Sequence, residues 1–71
     1  MAQQSNKKTL KELREEKGLS LTKAAASAAV SYPSLINWEN GNAKPNVVSL
    51  ERLLSLYDAT FEDLDLSIYQ E

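Results

Sequence analysis

Between Leu19 and Gly41 the chain reads LSLTKAAASAAVSYPSLINWENG, two short helical patterns separated by a tight break, with buried-type side chains at fixed offsets on either side. No other stretch constrains the fold as strongly. Ala24, Ala25, Ala28 and Ala29 keep the first of these helices thin enough for another to approach closely, and Val30 falls in the bend. Leu35 and Trp38 lie three apart on one side of the second, which places Trp38 in the core. Ser20 and Ser31 stand where N-caps are needed, and Pro33 is tolerated because the N–H groups of a first turn have no intrahelical partner. The spacing predicts helices over about residues 21–28 and 32–40, joined by a tight turn.

The flanking segments carry the same punctuation. Thr9 and Glu12 have capping-box spacing for a first helix that runs to about Lys17, with Leu10 and Leu13 facing inward, and Gly18 followed by Leu19 suits a left-handed stop. Gly41 ends the third helix, Asn42 to Pro45 form a loop, and Asn46 caps a fourth helix whose Val47, Leu50, Leu53, Leu54 and Tyr57 form one apolar stripe. Thr60 caps a short fifth helix reaching about Leu64. The final DLSIYQE has no clear period and reads as tail, helix extension or interface strand. The expected organisation is a flexible N-terminus over residues 1–6, one all-α domain over 7–65, and a C-terminal tail over 66–71 available for a dimer contact.

Seventy-one residues make one small domain, near the size at which a single core supplies only about 3–5 kcal/mol unless packing is very good or a partner helps. The absence of Cys and His removes disulfides, thiol chemistry, most zinc sites and the commonest general acid and base, so the chain is expected to be neither an enzyme nor a holder of metal or cofactor. The longest apolar stretch, around Ala24 to Val30, is mostly alanine and far below the roughly 20 residues of a membrane span. A soluble, cytoplasmic protein is expected. The net charge of −2 is divided unevenly: residues 1–23 carry +3, residues 24–44 balance, and residues 45–71 carry −5. That polarity suits a basic end turned to phosphate and an acidic end turned away.

Taken together, ELREEKGLS, the alanine pattern around Ala25 and Ala29 that leads to Val30, WENG and the Pro45-led helix make the chain resemble the Cro/repressor-type helix-turn-helix family, also called the xenobiotic-response-element family, over about residues 7–65. The resemblance implies a compact, lambda repressor-like bundle of about five helices, usually a homodimer on a pseudo-palindromic DNA operator. It also implies an ion pair between Arg14 and Glu39 that ties the first helix to the end of the third. Family positions that meet base edges in the major groove correspond to Ser31, Tyr32, Pro33 and Asn37. Asn37 is the strongest base reader, because an amide that donates and accepts together matches adenine N6 and N7. Ile36, four residues from Tyr32 and so on its face, is open to DNA contact, partner contact or partial burial. Thr22, Lys23, Asn40, Asn42 and Lys44 are candidates for phosphate contacts around that helix.

Three departures from the family pattern stand out. Leu21 replaces a frequent Gln, Ala29 replaces a frequent bend Gly, and no Arg or Lys occurs from Tyr32 to Gly41. Modest affinity per subunit follows, raised by dimerisation, for which the apolar Leu66, Ile68 and Tyr69 of the tail offer a surface. The implied function is a sequence-specific transcriptional regulator, repressor- or Cro-like, of phage or plasmid type. The alternative is a protein-binding module on the same fold, antirepressor-like or an antitoxin partner, with little operator binding.

Overall fold

A computed structural model describes residues 7–69. The N-terminal residues 1–6 and residues 70–71 of the tail lie outside the described residues. Among the described residues four α-helices follow one another: α1 (Leu10–Glu16), α2 (Leu21–Ala28), α3 (Tyr32–Glu39) and α4 (Val47–Leu56). The fold is all-α. The fifth helix expected after Thr60 is a single 3₁₀ turn over Phe61–Asp63, and a second such turn spans Ser67–Tyr69. Thr60 does begin the first of these turns in a capping box with Asp63, but the chain extends again at Leu64 and no α-turn closes.

Each helix is delimited by local chemistry. Thr9, Ser20, Ser31 and Asn46 are extended in backbone, and each accepts an N–H of the first helical turn on its side-chain oxygen. The C-terminal ends share a second device. Gly18, Ala29, Gly41 and Asp58 all have positive φ, between 57° and 80°. In each case that residue's N–H returns to the carbonyl three residues back and the next N–H to the carbonyl five residues before it, as in Leu19 N–H to Arg14 O at 3.2 Å and Asn42 N–H to Asn37 O at 2.9 Å. The residues that follow three of these stops, Leu19, Val30 and Ala59, are apolar and rest against the core. The bend of the motif therefore does use positive φ, at an alanine, where glycine is the unstrained residue.

The core comprises Leu10 and Leu13 of α1, Ala24, Ala25 and Ala28 of α2, Leu35 and Trp38 of α3, Leu50, Leu53 and Leu54 of α4, with Tyr57 and Leu64. α2 sits centrally, packed on both α3 and α4, while α1 packs on α3. Its three buried alanines make that close approach feasible. Val47, expected on the apolar stripe of α4, is instead 65% exposed. It occupies the first helical position, before the helix has run under α2, and the stripe begins one turn later at Leu50. Leu64 reaches the core because the chain there pairs with the segment preceding α1: Lys8 N–H donates to Asp63 O and Asp65 N–H to Lys8 O, each at 2.8 Å. No helix among the described residues is long and apolar enough to cross a membrane.

Candidate nucleic-acid interface

The angle of α3 is set from its buried side. The Arg14 guanidinium donates through Nε to Glu39 Oε2 at 2.8 Å and through Nη2 to Glu39 Oε1 at 3.1 Å, while Nη1 donates to the Leu19 carbonyl at 2.8 Å. One side chain thus joins α1, the α1–α2 turn and the last turn of α3. Both partners are withdrawn from water, with the Glu39 side chain only 4% exposed. The bidentate fork fixes orientation as well as distance, and hydrogen bonding to Glu39 raises the Arg14 pKa above its ordinary value. Trp38, buried beside Leu35, holds the helix from the same side.

Opposite these anchors α3 is bare. Ser31, Tyr32, Pro33 and Asn37 are exposed, Tyr32 at 46%. The Asn37 amide has no hydrogen-bond partner among the described residues, so both its donor and its acceptor remain available to a base edge. Ser31 differs from its neighbours in being committed to the fold. Its hydroxyl accepts the Ser34 N–H at 3.2 Å and donates to Ser34 Oγ at 2.7 Å, which leaves it one acceptor lone pair for a ligand. Ile36 is half-buried, in a shallow cleft of about 190 Å³ shared with Leu21, Lys11, Arg14, Glu39 and Asn40. Leu21, at the family's frequent Gln position, is also half-buried and packs on the core edge, so its side chain works as a packing residue.

The charged residues around this face sort by pairing. Lys8 is bonded to Glu16, Lys17 to Asp58 at 3.0 Å, and Arg14 to Glu39, so at least three of the six cations in residues 1–23 are neutralised within the chain. Lys11, Lys23 and Lys44 have no carboxylate partner among the described residues. They come from the three segments adjoining α3: α1, the first turn of α2, and the loop that follows α3. Thr22, Asn40 and Asn42 are exposed in the same segments. Lys11 belongs to the basic N-terminal end read from sequence but is not among the phosphate candidates drawn from it. The signal was present, since Lys11 lies one turn before Arg14 on α1, and a residue at that offset shares its face and so approaches the end of α3.

Among the described residues there is no cluster of three or more acidic side chains placed to hold a metal ion. An exposed amide, an aromatic ring and an apolar ring on the exposed part of one helix, with unpaired ammonium groups on the neighbouring segments, can bind a polyanion and discriminate hydrogen-bonding edges.

Comparison with known proteins agrees with this arrangement. A family model described as helix-turn-helix matches residues 10–64. A curated relative, the HTH-type transcriptional regulator DdrOP3 of Deinococcus deserti, is 42% identical over 55 residues, which is 78% of this chain and 43% of the relative. The chain therefore spans less than half the length of that relative. No solved structure matches the chain. With four helices, a bend between α2 and α3, and a motif match running from the start of α1 to Leu64, the chain belongs to the Cro/repressor-type helix-turn-helix family.

Proposed function

We propose that the chain is a sequence-specific, DNA-binding transcriptional regulator, repressor- or Cro-like, that inserts α3 into the major groove of an operator. The observation that carries this reading is the two-sided character of α3: its acidic residue, Glu39, is turned inward and neutralised by Arg14, while Tyr32, Pro33 and Asn37 face solvent. Asn37 reads the base edge, Tyr32 and Pro33 make apolar contacts, and Thr22, Lys23, Asn40, Asn42 and Lys44, joined by Lys11, set the register on phosphates. The name of the Deinococcus relative, a transcriptional regulator, supports the same role. With only a few unpaired lysines per protomer, a homodimer on a pseudo-palindromic site, with half-sites roughly 34 Å apart, supplies the remaining affinity. A small cytoplasmic controller of phage or plasmid type fits these features.

Binding of random duplexes and of duplexes selected from a random pool, measured across a salt series, tests the proposal. Affinity should fall linearly with salt on logarithmic axes. Asn37→Ala should lower the preference for selected over random DNA by an amount corresponding to about 1–3 kcal/mol. Lys44→Ala should weaken both alike and flatten the salt slope by about 1. Absence of salt-dependent duplex binding would leave the protein-binding module as the better reading.

A further inference from the structure

The C-terminal segment crosses the exit of α3. After the pairing of Leu64 with Lys8, the Asp65 carboxylate accepts the Ser67 N–H at 2.9 Å and turns the chain into its last 3₁₀ turn. From there the Tyr69 hydroxyl donates to the Trp38 carbonyl at 2.6 Å, across 31 residues of sequence. Ile68 lies over Gly41 so closely that a Cβ built there would stand 3.2 Å from the Ile68 carbonyl oxygen. Leu66 and Tyr69 also share a cleft of about 310 Å³ with Lys44 and Pro45. The core is complete without this segment: Leu66 and Ile68 are exposed, and Tyr69 is half-buried outside the core cluster.

We infer that Tyr69 is a positioning residue for duplex binding, which locks the last turn of α3 and thereby places Asn40, Asn42 and Lys44 on the phosphates while Asn37 is seated in the groove. The inference rests on the DNA-reading function proposed above. The Trp38 carbonyl receives two donors, the Tyr69 hydroxyl at 2.6 Å and the Gly41 N–H at 3.3 Å. The second bond is the longer one, and without the hydroxyl the stop of α3 rests on it and on the Asn42 N–H to Asn37 O bond at 2.9 Å. Removing the hydroxyl loosens the turn that joins the base-reading residue to its phosphate contacts. Those contacts set docking register, so their misplacement weakens binding without unfolding the domain.

The test compares wild-type protein with Tyr69→Phe, which keeps the ring and deletes the hydroxyl. The second variant is Asp65→Ala, which frees the Ser67 N–H and slackens the same segment from its other end. Thermal unfolding is followed alongside affinity for a duplex selected by the wild type, measured across a salt series well below the unfolding temperature. Affinity should fall about threefold to tenfold in Tyr69→Phe, the size of one hydrogen bond. The salt slope should become shallower by about 1, the signature of a lost phosphate contact. Asp65→Ala should move both readouts in the same direction. A lowered unfolding temperature with unchanged affinity and slope would make Tyr69 merely structural and overturn the inference, as would wild-type binding by both variants. If the wild type itself selects no duplex, the DNA reading fails and this inference fails with it.

Discussion

Arg14 is the residue whose removal the fold should tolerate least. Arg14→Ala would leave the Glu39 carboxylate buried and unpaired, a loss of about 3–5 kcal/mol. That equals the whole stability expected of a domain this size, so the variant should show an unfolded circular-dichroism spectrum at 37 °C. Replacing both partners with Met and Leu should recover much of the loss, because the apolar pair carries no desolvation penalty. Tyr57 presents the opposite case. Its hydroxyl is buried without a hydrogen-bond partner among the described residues, and burial pushes its pKa up to about 12. Tyr57→Phe should therefore stabilise the domain by about 1 kcal/mol in urea unfolding near neutral pH. The pH dependence has a definite sign. The folded-state value lies above the ordinary 10.0, so the fold favours the neutral phenol. The stability linked to that preference is fully present below about pH 10 and is lost as the pH rises toward 12. Wild type should lose stability relative to Tyr57→Phe across that window, and parallel curves would contradict the assignment. These residue roles were unequally legible. The inward position of Trp38 follows from its offset to Leu35, whereas the missing partner of Tyr57 depends on what α1 and α3 bring to it and has no signature in the linear pattern.

At the scale of the element, the helix boundaries were the most readable part of the chain, because caps are local: Thr9 with Glu12, Ser20, Ser31 and Asn46 each act within three residues of themselves. Where tertiary context decides, the pattern failed. Val47 has the apolar character of the α4 stripe but lies beyond the edge of the core, and the segment after Thr60 gives up a helix to pair with Lys8. The four helix stops make a further distinction testable. Gly18 and Gly41 occupy the left-handed region freely, whereas Ala29 pays a steric cost there of about 1 kcal/mol or more. Ala29→Gly relieves that strain but loosens the unfolded chain by about 0.5–1 kcal/mol, so a net gain of about 0.5 kcal/mol is expected. Asp58→Gly should gain nothing. Aspartate tolerates the conformation through its short polar side chain, and the exposed contact to Lys17 would be lost. Urea midpoints of the two variants decide the matter; a gain from Asp58→Gly equal to that from Ala29→Gly would show that side-chain identity at these stops is immaterial.

Over the whole molecule, the question is how a chain of net charge −2 could approach a polyanion. Its linear charge gradient, +3 over residues 1–23 and −5 over residues 45–71, pointed toward a basic end but overstated it, because at least three of the six N-terminal cations are bonded to carboxylates. The lysines without a carboxylate partner among the described residues are a sparse set, Lys11, Lys23 and Lys44, contributed by the three segments next to α3. Arg52, on α4, also lacks a carboxylate partner among the described residues but lies in a different groove, with Ser27, Ala29 and Val48. If the face of α3 that carries Asn37 meets the duplex, the three lysines should release counterions on binding and Arg52 should not. Each phosphate neutralised contributes about 0.9 to the slope of log affinity against log salt. Lys11→Gln, Lys23→Gln and Lys44→Gln together should therefore flatten the slope by about 3 per protomer, and Arg52→Gln should leave it unchanged. Because all four substitutions remove one positive charge each, a response that merely tracks net charge would make Arg52→Gln as costly as any single lysine variant. That result would place the duplex elsewhere on the surface, while dependence on the three lysines alone would tie an acidic protein's DNA binding to where its few free cations stand.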